Sequence, residues 1–326
     1  MHAWYGNCSK GCVVPGSFAH LASLVRDGQV RIIELQAVPR SMSTALGRCL
    51  NESEAASVFI NEPFNMNNDD PDIAAGHVIR WVEPALSSMH GTVIVVTKNM
   101  ARYLPAPVFR AWTDICSVVV WSIRDPRVQI SSLVTRTVND ALFGVGADRI
   151  KASELLPSHF EMVTRLLQNS EWSTDFSKTG WRAIGAHFTG FDESRSSLVA
   201  DGTLFSRVPD RFLRYLCSGL GIEFRDRMIS GWREPFLNVD RLDNPGLADS
   251  SDAWIKHAAT SRGIEAAEHV SLQESNLPPA LRDHLLEVAL PTYEMLMGEF
   301  HSRIHQCQDS FGLGSRGTSL GRDDAP

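Results

Sequence analysis

The sequence predicts one α/β domain, a parallel sheet covered on both faces by helices, with further helices added in the C-terminal half. Three observations predict it. Unbroken apolar, β-branched runs recur at RIIELQAV (31–38), TVIVVT (92–97) and SVVVWSI (117–123), as in strands buried on both faces. Segments with helical spacing separate these runs. The polar stretches that follow the first and last of them, Pro39 to Thr44 and Arg124 to Arg127, fall outside the carboxyl ends of strands, where a parallel sheet binds ligands.

Taken in order, residues 1–28 carry glycine, serine and proline without sustained periodicity and read as an N-terminal extension. The domain proper spans 29–305. Its first strand, at 31–38, leads through PRSMST into a helical stretch, ALGRCLNES. SVFI (57–60) reads as a short strand and Ile73 to Met89 as a helix, followed by the strands at 92–97 and 117–123. Helices are expected at 125–138, 157–169, 207–219 and 279–304, with one more strand at SSLVAD (196–201). The stretch 306–326 is glycine, serine and charge, which predicts a disordered tail. There is no internal repeat.

The chain has 326 residues and 43% hydrophobic content, enough for one large core. Lysine plus arginine is 31 against 38 acidic residues, a net charge of -7, which argues against a broad basic face for nucleic acid. An anion site must therefore be local. The longest strongly apolar run, Ser117 to Ile123, is far short of the roughly 18 residues a membrane span needs. The start, MHAWYGNCSKGCVV, lacks the pattern of a secretory signal, and a cytoplasmic address is expected. The six cysteines (8, 12, 49, 116, 217, 307) match no common metal spacing and read as reduced, structural thiols.

In the first loop, Arg40 brings a full positive charge on a planar fork of donors. Ser41, Ser43 and Thr44 add hydroxyls beside the free N–H groups of a helix start. Together they suit a phosphate or sulfate. The Walker spacing and its lysine are absent. A plainer reading makes Ser43 and Thr44 an ordinary helix cap with Arg40 solvated. In the second segment Ser132 follows Arg124 by eight residues, about two helical turns, so both can reach one anion. Alternatively Arg-Asp-Pro is a local ion pair and helix start.

Together these segments resemble the P-loop sulfotransferase superfamily. PRSMST (39–44) is similar to its 5′-phosphosulfate loop and RDPRVQISS (124–132) to its 3′-phosphate element. A branch with a PRxxSTA loop, an EPF tripeptide, a K-x-M-A segment and a late tryptophan-containing stretch is closer. This chain has PRSMSTA (39–45), NEPF (61–64), TKNMA (97–101) and WIKHAATSRGI (254–264). Met42 stands where the best-known loop has glycine, and Met100 stands where the cytosolic hydroxysteroid and phenol branch has a catalytic histidine. Arg262-Gly263 faintly resembles a late nucleotide-binding element.

The resemblance implies a three-layer α/β/α fold and a donor, 3′-phosphoadenylyl sulfate, leaving adenosine 3′,5′-bisphosphate, with no metal. It implies that Arg40, Ser41, Met42, Ser43, Thr44, Arg124, Ser132 and Arg262 hold the nucleotide. Arg40 and Lys98 would stabilise charge on the transferred group, with Glu62 as the base that takes the acceptor's proton. In the alternatives, Lys98 is a snorkelling surface lysine, Glu62 pairs with Arg40 to brace the loop, and His257 is the base. His77 and His90 have no supporting context. Asp201-Gly202 resembles a strand-end acid that orders a loop. The acceptor is a small molecule. Phe143, Phe160, Trp172, Trp181, Phe188 and Phe191 are compatible with an apolar acceptor pocket and equally with core. No membrane partner is expected, and a homodimer is left open. The rival functions are a nucleotide-binding relative without sulfuryl transfer and a P-loop kinase.

Overall fold

The structure, a computed structural model, describes residues 16–53, 57–64, 69–88, 91–144, 147–168, 176–232, 261–264, 271–272 and 277–310. Five strands, β1 (Val30–Ala37), β2 (Ser57–Asn61), β3 (Val93–Met100), β4 (Val118–Ile123) and β5 (Ser197–Asp201), form one parallel sheet in the order β2-β3-β1-β4-β5. β1 lies at its centre, and all five runs expected from sequence are strands. The register sets Leu35 beside Lys98 on β3 and beside Val120 on β4.

Helices cover both faces. On one side lie α1 (Ser17–Arg26), α3 (Pro71–Ser88), α4 (Ala106–Thr113), α5 (Pro126–Phe143), α6 (Pro157–Gln168) and α7 (Trp181–Thr189). On the other lie α2 (Ser43–Asn51), α8 (Gly202–Arg207) and α9 (Pro209–Leu220). The alternation along β1 explains this. Ile33 and Leu35 point into the α2 side and Ile32 into the opposite core. The chain closes with α10 (Pro279–His284), a π turn over Leu285–Ala289, and α11 (Leu290–Ser310). Pro291, which lacks an N–H and crowds the preceding turn, accounts for the widened helix just before it.

Two readings need correction. Part of the supposed extension is α1, whose Leu21 and Leu24 are buried against the core beside α3. Part of the supposed tail, as far as Ser310, belongs to α11, and residues 311–326 lie outside the described ones. Among the described residues no helix is long and apolar enough to cross a membrane.

Candidate active site

The loop after β1 is held on three sides. Val38 N–H donates to the Ser122 carbonyl at 3.1 Å, and Gln129 Nε2 donates to the Pro39 carbonyl at 2.9 Å. Gly180, in the left-handed region with φ 81°, approaches so closely that a Cβ there would lie 2.9 Å from Pro39 Cδ. A Cβ on Gly202 would likewise collide with the Ser41 carbonyl. Asp201 orders the turn at the end of β5. Asp201 caps α8 by accepting from Thr203 and Leu204 N–H, and its other oxygen accepts from Tyr293 Oη at 2.6 Å.

Within this frame Arg40 and Met42 take left-handed φ values of 63° and 64°, a conformation costing a non-glycine residue roughly 1–2 kcal/mol. Met42 thus takes a backbone conformation that glycine adopts without strain. It is the N-cap of α2 and supplies no side-chain cap, so the cap reading of this serine-rich turn fails. Ser41 and Ser43 are buried, and Ser41 Oγ lies 3.2 Å from Ser122 Oγ.

Arg40 is not merely solvated: its Nε donates to Ser132 Oγ at 3.0 Å, across from β1 to α5. The residue keeps an open face, yet its guanidinium is crowded. Desolvation, and then the positive charges of Arg136 and Arg124, lower its pKa to about 10, leaving it charged at neutral pH. Arg124 is 6% exposed and donates from Nη1 to the Arg40 carbonyl at 3.3 Å. Burial lowers its pKa too, opposed by Asp201 and Asp125. Asp125 is spent as the cap of α5, accepting from Arg127 N–H at 2.8 Å. The structure therefore seats Arg40 on Ser132 and Arg124 on the loop's backbone; the spacing links Arg124 with Ser132 and does not foretell the Arg40 contact.

Lys98 on β3 and Glu62, the residue after β2, form a second cluster. Lys98, 1% exposed, donates its ammonium to Glu62 Oε1, which excludes a snorkelling surface lysine. The carboxylate partner of the loop-brace alternative is also corrected: Glu62 pairs with Lys98, while Arg40 Nε bonds Ser132. Glu62 has φ 57°, and its N–H donates to the Lys98 carbonyl at 2.6 Å. The next β3 residue ties down the rest of the tripeptide, Asn99 Oδ1 accepting from Phe64 N–H at 3.1 Å. The EPF and K-x-M-A motifs thus form one hydrogen-bonded unit.

Below them lies a group that sequence reasoning missed. Glu34, fully buried in β1, accepts from Thr97 Oγ1 (2.5 Å), Asn99 Nδ2 (3.0 Å) and Trp112 Nε1 (3.0 Å). Burial raises its pKa to about 7, with those hydrogen bonds and the Lys98 charge acting in the opposite direction. A carboxylate inside a strand covered on both faces was itself the signal.

The remaining expectations are placed as follows. Arg262 is exposed. Its carbonyl accepts from Gly231 N–H (2.7 Å) and Trp232 N–H (3.2 Å), so its segment packs on the α2 side. His257, His90 and Trp172 lie outside the described residues. Phe160 and Trp181 are core, Phe188 and Phe191 pack edge-on against Trp121, and Phe143 is exposed under Arg149. These aromatics serve packing more than a pocket. Cys49, Cys116 and Cys217 are free thiols whose pKa values burial raises. Among the described residues no group of three or more His, Cys, Asp or Glu is placed to hold a metal ion.

No protein-family model matches the chain, and no curated protein matches it. Solved structures do. A sulfotransferase domain from the curacin biosynthetic pathway is 13% identical, covering 79% of this chain and 97% of its own, with a TM-score of 0.42. Mouse sulfotransferase SULT7A1, solved with PAP, is 11% identical, covering 92% and 95%, with a TM-score of 0.37.

Proposed function

We propose that this protein moves a sulfuryl group from 3′-phosphoadenylyl sulfate to a hydroxyl or amine of a small-molecule acceptor. The observation that most supports this is the junction of the Pro39 to Thr44 loop with α5. There Arg40 is seated on Ser132 and Arg124 holds the loop's backbone, at the carboxyl edge of a parallel sheet. The loop's donors fit a phosphate: three hydroxyls, a guanidinium and the uncapped first turn of α2, with no carboxylate in the loop itself. In this reading Ser41, Ser43 and Thr44 hold the 5′-phosphate, and Arg124 with Ser132 holds the 3′-phosphate.

The donor, when bound, supplies an activated sulfur whose bond to a phosphate oxygen breaks, the electron pair leaving with the phosphate, as the acceptor atom attaches. The chain's own work is electrostatic and positional. Glu62 takes the acceptor's proton. Lys98, its partner, turns toward the departing oxygen, and that exchange frees the carboxylate to act as base. Arg40 stays charged at neutral pH and offsets negative charge beside the loop.

One observation favours a second reading, a nucleotide-binding relative without sulfuryl transfer: the Glu62 carboxylate is already engaged by Lys98. Glu62→Gln separates the two. With labelled donor and an acceptor screen, a catalytic Glu62 predicts a loss of roughly 10²-fold or more in turnover with bisphosphate affinity and folding kept. Tight bisphosphate binding by the wild type with no turnover for any acceptor would establish the second reading.

A further inference from the structure

The Lys98–Glu62 pair stands on a frame that one buried carboxylate ties together. Glu34 lies opposite Thr97 in the register of β1 with β3. It accepts from Thr97 Oγ1 and Asn99 Nδ2, the residues on either side of Lys98, whose side chains fall on the other face of the sheet from the lysine. β3 is thus pinned before and after Lys98.

Two routes lead from Glu34 to the tripeptide Glu62-Pro63-Phe64. Asn99 gives its amide N–H to Glu34, and its Oδ1 accepts from Phe64 N–H at 3.1 Å. Trp112 donates from Nε1 to Glu34 Oε2 at 3.0 Å and meets the Phe64 ring edge-on, with centroids 5.0 Å apart. Both routes end on Phe64, two residues beyond Glu62. Glu62 has φ 57°, a conformation unfavourable for a non-glycine residue that persists only where its surroundings impose it. Its own N–H is held by the Lys98 carbonyl, and Phe64 is fixed on the far side. An apolar residue would fill this place in β1 without the desolvation cost of a carboxylate.

We propose that Glu34 is a positioning residue: through Asn99 and Trp112 it imposes the left-handed conformation of Glu62 and so sets that carboxylate against Lys98. Its effect on turnover rests on the reading above, in which Glu62 takes the acceptor's proton; its effect on the backbone does not.

The test is a cycle of urea unfolding on the full chain. Glu62→Gly and Glu62→Ala both remove the carboxylate, so the difference between them reads the backbone conformation at this position. With Glu34 in place, the folding constant of Glu62→Gly is expected to exceed that of Glu62→Ala about 3- to 10-fold, the reverse of the ordinary order. Adding Glu34→Leu should abolish that ratio, and adding Glu34→Gln, which keeps one acceptor oxygen, should reduce it. A carboxylate that only adds stability would lower both members equally and leave the ratio as it was. Because both variants strand Lys98, the series is repeated on a Lys98→Met background, and where Glu34→Leu does not fold, Glu34→Gln decides. An unchanged ratio, or none with Glu34 in place, would overturn the proposal. With labelled donor, Glu34→Gln alone should lower kcat about 10-fold or more while the donor KM and bisphosphate affinity change less than about 2-fold. A change in KM alone would overturn the positioning role. If the wild type shows no turnover, the proton-transfer reading falls by itself, and the folding ratio still decides whether Glu34 holds Glu62.

Discussion

On the β1–β4 side of the sheet edge cations gather: Arg124, after β4, donates to the carbonyl of Arg40 in the loop after β1, Arg40 bonds Ser132, and Arg136, paired with Asp140, stands one turn of α5 further on. On the β3–β2 side the cation is spent internally, the Lys98 ammonium meeting Glu62 above the buried Glu34. The first arrangement gathers guanidinium groups whose mutual repulsion is offset in part by the carboxylates Asp125, Asp140, Asp148 and Asp201. The second is complete and loses whenever one member is removed. The proposed function divides binding and chemistry between these two neighbouring clusters, and under it the second exchanges partners before it acts.

The largest expected effect breaks the completed cluster. Lys98→Met leaves Glu62 half-buried opposite an apolar chain and should cost about 3 kcal/mol, the lower end for a broken buried pair because Glu62 keeps some solvent. Urea unfolding measures it, and the double variant Lys98→Met/Glu62→Gln should regain at least half. A single variant as stable as the wild type would mean that the pair adds nothing to folding.

Glu34 gives that side a pH signature. Its folded pKa, raised to about 7, lies above its ordinary value of 4.5, so the folded state binds more protons between those limits. Stability therefore falls as pH rises from about 4.5 to about 7, by up to about 3 kcal/mol, and this contribution levels off above that window. Thermal melts across pH 4.5 to 8 should show this slope in the wild type and a flatter one in Glu34→Gln. Identical slopes would remove Glu34 as the source.

Much of the difference between the two clusters was legible in the residues. The arginine side follows local rules: strand, polar turn and helix start, with Arg124 and Ser132 two turns apart, suggest from spacing alone where an anion would be held. The lysine side depends on pairing. That Lys98 meets Glu62 follows from β2 lying beside β3 with Asn61 opposite Lys98, a register no local pattern encodes. Glu34 was missed, although it is a charge within an apolar strand; its partners Asn99 and Trp112 arrive from other elements. α1 was missed although Phe18, Leu21 and Leu24 have helical spacing, because the glycine and proline ahead of it masked its start.

A smaller effect sharpens the arginine side. Arg124→Ala should weaken adenosine 3′,5′-bisphosphate by about 2 kcal/mol while hardly changing adenosine 5′-phosphate, since the lost contact is to the 3′-phosphate. Calorimetry of the two ligands decides this. Equal losses would make Arg124 a brace that shapes the loop through the Arg40 carbonyl.

The smallest effect isolates the loop's backbone. Met42 holds φ 64° and packs its side chain against the α2-side core, so two opposing contributions meet in one residue. Met42→Ala removes the packing and keeps the strained conformation, and should cost about 1 kcal/mol. Met42→Gly removes the same packing but relieves the left-handed strain, worth roughly 1–2 kcal/mol, against some added freedom in the unfolded chain. The glycine variant should therefore be more stable than the alanine variant by about 1 kcal/mol and close to the wild type. Normally an alanine is the more stable of the two, so the reversed order in urea unfolding is the signature of this conformation. Alanine at or above glycine would mean that the loop relaxes out of the left-handed region. The glycine-like path by which Met42 leads into α2 would then no longer explain the uncapped first turn that the proposed 5′-phosphate contact uses.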